Sequence, residues 1–341
     1  MLILRPARAE DLDDLVALAQ QLDSVNLPAD RPFLEQRIAQ SQRSFGGGIR
    51  DWREGIYVFM LEDRRAGRCV GTSMIRAKHG TPDTPYYFLE VSTEERHSTG
   101  LGRHFVHTRL QLRSSTDGPT ELGGIILDPA WRRHPEKCGK ALSIVRFAYI
   151  SAHPDRFERE VVAEMLSRFD APGRNRLWDA FGARFTGLSY READRLSGRD
   201  PRFIADLFPR DPVYATLFPD EVQAVIGEPN ETARAAVRIL ERVGFHYLNR
   251  VDPFDGGPYY GAARDAIVSV RQRRELVLPC VPAERAPRPE GPLALLSAEG
   301  SLGFRAAVAR LDEDGAPFVP KPVREVLGVG AGERVSVTPL P

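Results

Sequence analysis

The chain of 341 residues has little cysteine and no excess of either charge. Its three cysteines, Cys69, Cys138 and Cys280, lie far apart with no CxxC pair, so neither a zinc site nor a disulfide framework is expected, and a reducing compartment is. Lys and Arg number 47 and Asp and Glu 47, so there is no electrostatic footprint for nucleic acid or an anionic membrane. No apolar run approaches the ~18 residues that a membrane span requires. The start, MLILRPARAEDLDDL, lacks a basic stretch followed by a long apolar one, so no signal peptide and a cytoplasmic location are expected. Neither GxxxxGK[ST] nor GxGxxG occurs, which removes the two commonest phosphate-cradling loops. The seven histidines show no metal-like spacing; HFVH lacks an acidic or Cys partner, and no metal site is expected.

What remains is an alternation of short apolar runs with amphipathic stretches. Leu2–Leu4, Ile56–Leu61, Cys69–Ile75, Ile125–Leu127 and Val161–Met165 read as strands, and the second and third as a hairpin. Phe88–Val91 reads as a third strand of that meander. Helices are predicted after Asp11, over Pro32–Ser44, after Gly139 and over Thr232–Val243, the last stopped by Gly244. Residues 1–185 form one expected region and 186–278 a helical region closed by a helix–strand element. Residues 279–341 are expected to be a Pro-rich linker and a small β-rich module.

Between the Ile125 strand and the helix after Gly139 runs a basic loop carrying Arg132, Arg133, Lys137 and Lys140. A strand–loop–helix junction of this kind offers backbone N–H groups and the positive end of a helix dipole, which suits an anion such as a pyrophosphate. An ordinary connection with solvated basic residues has the same spacing.

The order of elements resembles the GCN5-related N-acyltransferase fold: a mixed, mainly antiparallel sheet flanked by helices. More narrowly, YVFMLED (Tyr57–Asp63), ILDPAWR (Ile126–Arg132), VVAEM (Val161–Met165), ILERVGFHY (Ile239–Tyr247) and DPFDGGP (Asp252–Pro258) resemble the bacterial arginine N-succinyltransferases over nearly the whole chain. The resemblance implies transfer of a succinyl group from succinyl-CoA, a cosubstrate rather than a resident cofactor, to the α-amine of arginine. It implies that Ile125, Ile126 and Leu127 line the acyl-CoA and that Arg132, Gly139, Lys140 and Ala141 belong to its phosphate loop. Here that loop is two residues longer than in the family and ends in Ala141 where the family has glycine. Asn230 stands where the family has a proton-donating histidine, and Leu166 where it has arginine. The resemblance leaves open a homo-oligomer or pairing with a homologous subunit, another basic amine such as ornithine as acceptor, and a noncatalytic CoA-binding partner subunit.

An arginine acceptor needs carboxylates for its guanidinium. Candidates are Glu90, Glu121, Asp128, Glu164 and Asp255, with Glu164 preferred for its place beside the Ile125 strand and Asp255 also suited to forming a turn. Arg103, Arg109 and Arg113 are candidates for the distal carboxylate of the succinyl group. Asn230 is also placed to cap the helix that follows it.

Overall fold

The computed structural model describes residues 1–21, 27–170, 174–278, 291–311, 319 and 321–341; most of the expected Pro-rich linker lies outside them. Strand β1 (Leu2–Pro6) is followed by helices α1 (Leu12–Ala19) and α2 (Arg31–Phe45). Then come β2 (Ile56–Asp63), β3 (Arg68–Arg76), β4 (Tyr86–Ser98), β5 (Arg103–Ser115), β6 (Thr120–Leu127), α3 (Cys138–Ala152) and β7 (Glu160–Glu164). Short helices and the two-residue β8 (Val213–Tyr214) lead to a helix at Arg234–Arg242. The chain continues through β9 (His246–Val251), β10 (Pro258–Ala263), β11 (Arg274–Val277), β12 (Leu293–Gly300), β13 (Gly303–Arg310) and β14 (Arg334–Pro339).

Among the described residues these strands make one sheet, ordered β11-β14-β12-β13-β1-β2-β3-β6-β7-β10-β9-β4-β5-β8, with every neighbouring pair antiparallel except β6 and β7. This is the expected mixed sheet flanked by helices. The run IYVFML is apolar throughout because both faces of β2 are covered. Tyr57, Phe59 and Leu61 face α3, packing with Leu142, Val145 and Tyr149, while Ile56, Val58 and Met60 face α1 and α2, against Leu15, Leu34 and Ile38.

Two local expectations change. Asp11 stands at the start of α1, but its carboxylate does not cap that helix; it accepts from Arg8 N at 2.7 Å and pairs with both terminal nitrogens of buried Arg5. The Phe88 strand does not extend the β2–β3 meander, because β3's outer neighbour is β6. It belongs to a long hairpin, β4 with β5, joined to the sheet through β9 at Leu89 and Glu90. Much of that hairpin is exposed, so its residues carry no apolar alternation by which to recognise β5.

The feature that positions the site is the join of β6 and β7. They pair in parallel only over Thr120–Leu122 and Val161–Ala163, and then separate. At that point β6 also bulges against β3, where the register shifts between Thr72 and Met74. Gly124 takes φ +57°, and a Cβ there would lie 2.6 Å from Leu27 Cδ1 and 3.2 Å from Met74 Cβ. Glycine at this position serves both the backbone angle and the close packing.

Candidate active site

The cleft opened by the separation has β6 residues 123–127 as one wall, and backbone groups of β6 that face β7 lose their strand partner beyond Leu122. Ile125 and Leu127 lie on the α3 side of β6 and are partly buried, while the Ile126 side chain points to the α1/α2 core. Asp128 ends the strand by accepting from Ala130 N at 3.0 Å, which starts a short turn at Pro129–Trp131. The loop reaches α3 through Lys137, held at φ 53°. The N–H groups of Lys140 and Ala141 are spent on Lys137 O, at 2.8 and 3.0 Å. Those of Cys138 and Gly139 are the ones that a helix start leaves without an internal acceptor. A Cβ on Gly139 would lie 3.8 Å from Leu127 Cδ2, so loop and strand meet here.

The other predicted loop residues divide. Arg132 is exposed. The Ala141 methyl is buried beneath β1 and β13, away from the cleft. The Lys140 ammonium is hydrogen-bonded to Pro341 O rather than extended over the loop.

A cavity of about 890 Å³ opens on the α1/α2 face of the sheet. Strand alternation builds its floor: Ile75, Leu122 and Ala163 face α3, so Arg76, Glu121 and Glu164 face the cavity. Glu164 is opposite Tyr259 on β10, whose hydroxyl donates to it at 3.0 Å. Asp252 completes this acidic corner, with Asp194 and Tyr190 of the helix Tyr190–Ser197 also on the cavity wall. Carboxylate oxygens of Glu164, Asp252 and Asp255 lie within 4.8 Å of one another. Enclosure and mutual repulsion push Glu164 well above the ordinary carboxyl range. They raise Asp252 to about 7, and burial raises Asp255 to about 6.

Asp255 itself does not line the cavity. Its oxygens accept from Ser167 N at 3.0 Å and Gly257 N at 2.6 Å, so it fastens the DPFDGGP turn against the segment after β7. A Cβ on Gly257 would lie 2.1 Å from Met165 O, which is why that turn ends in glycine.

Arg37 from α2 and Arg76, Lys78 and His79 from the end of β3 also line the cavity, interspersed with Asp51, Glu54, Asp117 and Glu121. Arg76 Nη1 lies 2.9 Å from His79 Nδ1, and burial lowers His79 to about 4. The same Nδ1 lies 3.2 Å from Glu121 Oε2, so it sits between a donor and an acceptor. Leu166 also lines the cavity.

Of the five carboxylates weighed from sequence, Glu121 and Glu164 reach this cavity. Glu90 pairs with Arg113 at 2.9 Å and Asp128 with Arg68 at 3.0 Å. Arg103, Arg109 and Arg113 lie on β5 away from the cavity, with Arg109 on Glu94 at 3.1 Å. Sequence reasoning missed Arg37, His79 and Tyr259; Asp252 lay in a quoted motif with no role attached.

Asn230 sits behind Leu166. Its N–H donates to Leu166 O at 2.9 Å and its Nδ2 to Ser167 O at 3.3 Å. Its Oδ1 accepts from Thr232 Oγ1 and Ala233 N, both at 2.8 Å, so it caps the turn that leads into the helix at Arg234–Arg242. We expect Asn230→Ala to cost about 0.5–2 kcal/mol of stability, as cap removal does, and to keep turnover within about threefold of the parent. Thermal melts and steady-state rates check this; inactivity with an intact fold would make Asn230 a chemical participant.

The family described as arginine N-succinyltransferase beta subunit matches residues 2–269. An arginine N-succinyltransferase of Citrobacter koseri is 34% identical over all of this chain and 98% of its own length. One from Enterobacter sp. is likewise 34% identical with the same coverage. The solved arginine/ornithine succinyltransferase subunit AI of Pseudomonas aeruginosa superposes with a TM-score of 0.84 at 31% identity, covering 100% of this chain and 99% of that one. With matches of this length and identity, the chain belongs to the arginine N-succinyltransferase family.

Proposed function

We propose that this chain transfers the succinyl group of succinyl-CoA to the α-amine of L-arginine, giving N2-succinyl-L-arginine and CoA. The observation that carries the reading is the two-compartment site: a strand-separation cleft meeting a helix start, beside a cavity that holds an acidic corner. The pantetheine arm runs along Ile125–Leu127 and the pyrophosphate takes the amides at Cys138 and Gly139. The thioester carbonyl then comes to the bulge at Gly123–Gly124, where an unpaired β6 N–H serves as oxyanion donor. Arginine enters the cavity with its guanidinium toward Glu164 and Asp252, which directs its α-amine to the thioester. The amine attacks the carbonyl carbon, the C–S bond breaks, and the proton lost by the amine ends on the thiolate, directly or through water. A thiol near ~8.5 is a tolerable leaving group, so positioning carries much of the barrier. We place the reaction in the cytoplasm.

Thiol release from succinyl-CoA by the purified chain, with and without arginine, tests the reading. Release only with arginine supports it; release with ornithine and not with arginine would move the acceptor to that amine. Gly139→Asp should weaken CoA binding at least tenfold in a calorimetric titration, because a carboxylate at the helix start repels the pyrophosphate. Unchanged binding would remove the pyrophosphate from this loop.

A further inference from the structure

Three of the four cations that line the cavity from α2 and the β2–β3 region already meet acids. Arg76 lies 3.5 Å from Glu121, Lys78 reaches Asp117 and Glu158, and Arg53 pairs with Asp51 at 3.3 Å. Arg37 differs. Among the described residues its one polar side-chain contact is Nη1 to Gln40 Oε1 at 3.3 Å, a neutral acceptor, and its Nε is buried with no partner. The guanidinium packs over Phe33, 4.8 Å from the ring centroid, which fixes its plane one turn along α2. Burial and the nearby Arg76 push its pKa down to about 10 while nearby Glu121 pulls it back up, so it stays charged. A held, charged and under-satisfied guanidinium on a cavity wall is costly unless an anion completes it.

We propose that Arg37 is the carboxylate-reading residue of this site, taking a carboxylate of one of the two substrates through its planar donor fork. The inference deepens the reading given under Proposed function and rests on it for the identity of the substrates. That reaction offers two such groups, the distal carboxylate of the succinyl chain and the α-carboxylate of arginine, and both are bidentate acceptors. Arg37 lines the same cavity as the acidic corner of Glu164 and Asp252.

Calorimetric titration of succinyl-CoA, butyryl-CoA, arginine and agmatine into the parent and into Arg37→Gln tests it. Butyryl-CoA and agmatine lack the respective carboxylates. Arg37→Gln should weaken one carboxylate ligand by about ten- to a hundredfold, as expected for a hydrogen bond to a charged group, and leave its carboxylate-free analogue unchanged. Collapse of the succinyl-CoA over butyryl-CoA preference assigns the acyl carboxylate; collapse of arginine over agmatine assigns the acceptor's. Arg37→Lys should restore part of the loss, because the charge remains while the fork is gone. Equal weakening of all four ligands, or of none, overturns the proposal. A parent that shows the Arg37-dependent preference yet transfers no succinyl group to arginine would reject the functional reading and keep this one.

Discussion

Glu164→Gln should lower kcat/KM for arginine by about one to two powers of ten, in line with ~1.5–3 kcal/mol for a hydrogen bond to a charged group. The amide is isosteric and its oxygen still accepts from Tyr259, so the local fold is kept. What is lost is the ability to ionise against the guanidinium when it binds. The expected signature is a loss of discrimination. The parent should prefer arginine over citrulline strongly, since a neutral isostere leaves a buried carboxylate unpaired, and the variant should accept the two far more equally. Lysine should be poor with both proteins, because an ammonium does not match a planar fork. Stability should not fall with activity. Burial, Asp252 and Asp255 all disfavour the ionised form of Glu164, so an amide there should leave the melting temperature unchanged or raise it, as when a strained functional group is relieved. Steady-state kinetics over the three amino acids, with a melt beside them, decide the matter. Citrulline serving as well as arginine in the parent would end the guanidinium reading. A parent that prefers arginine, with an unaffected Glu164 variant, would pass the role to Asp252.

How much of this could be read from the chain follows from which residues are buried. Strands covered on both faces, such as Ile56–Leu61 and Val161–Ala163, announce themselves because every side chain is apolar. The loop at Asp128–Lys137 was legible because its charge density and the helix after it are both local signals. The β4–β5 hairpin was not, because an exposed ribbon is held by backbone pairing and cross-strand charges such as Arg113–Glu90, which alternate no hydrophobicity. The acidic corner was half legible. Glu164 could be chosen by its strand, but Asp252 joins it only through the β7–β10–β9 pairing, which no local pattern encodes. Arg37 had no signal at all: on a helix with Leu34, Ile38 and Ser41 inward, a polar residue at the edge of the stripe reads as solvated. The cavity makes it otherwise. Asp255 shows the reverse case, where the residue type suited a site and the backbone claimed it for a turn.

Arginine affinity should rise with pH across roughly pH 5.5 to 8 and then level off. The acidic corner holds protons that ordinary carboxyl groups have lost: Asp252 is raised to about 7, Asp255 to about 6, and Glu164 well above its usual range. A guanidinium stabilises the ionised forms, so those values drop on binding and protons leave. Each proton released contributes up to about a tenfold gain in affinity per pH unit while the free site is still protonated. With one to two protons involved, the dissociation constant should be about ten- to a hundredfold larger at pH 5.5 than at pH 8. The stability of the empty protein moves the other way. For these carboxyls the folded state binds protons more tightly than the unfolded chain, so between about pH 4 and pH 7 the folded state carries the extra proton and stability falls as pH rises. Arginine should therefore protect against unfolding most strongly near neutrality and least near pH 5. Calorimetry in buffers of different ionisation enthalpy counts the released protons directly, and melts with and without arginine at the two pH values give the second limb. Proton uptake on binding, or an affinity flat across this range, would mean that the acidic corner is not where the guanidinium goes.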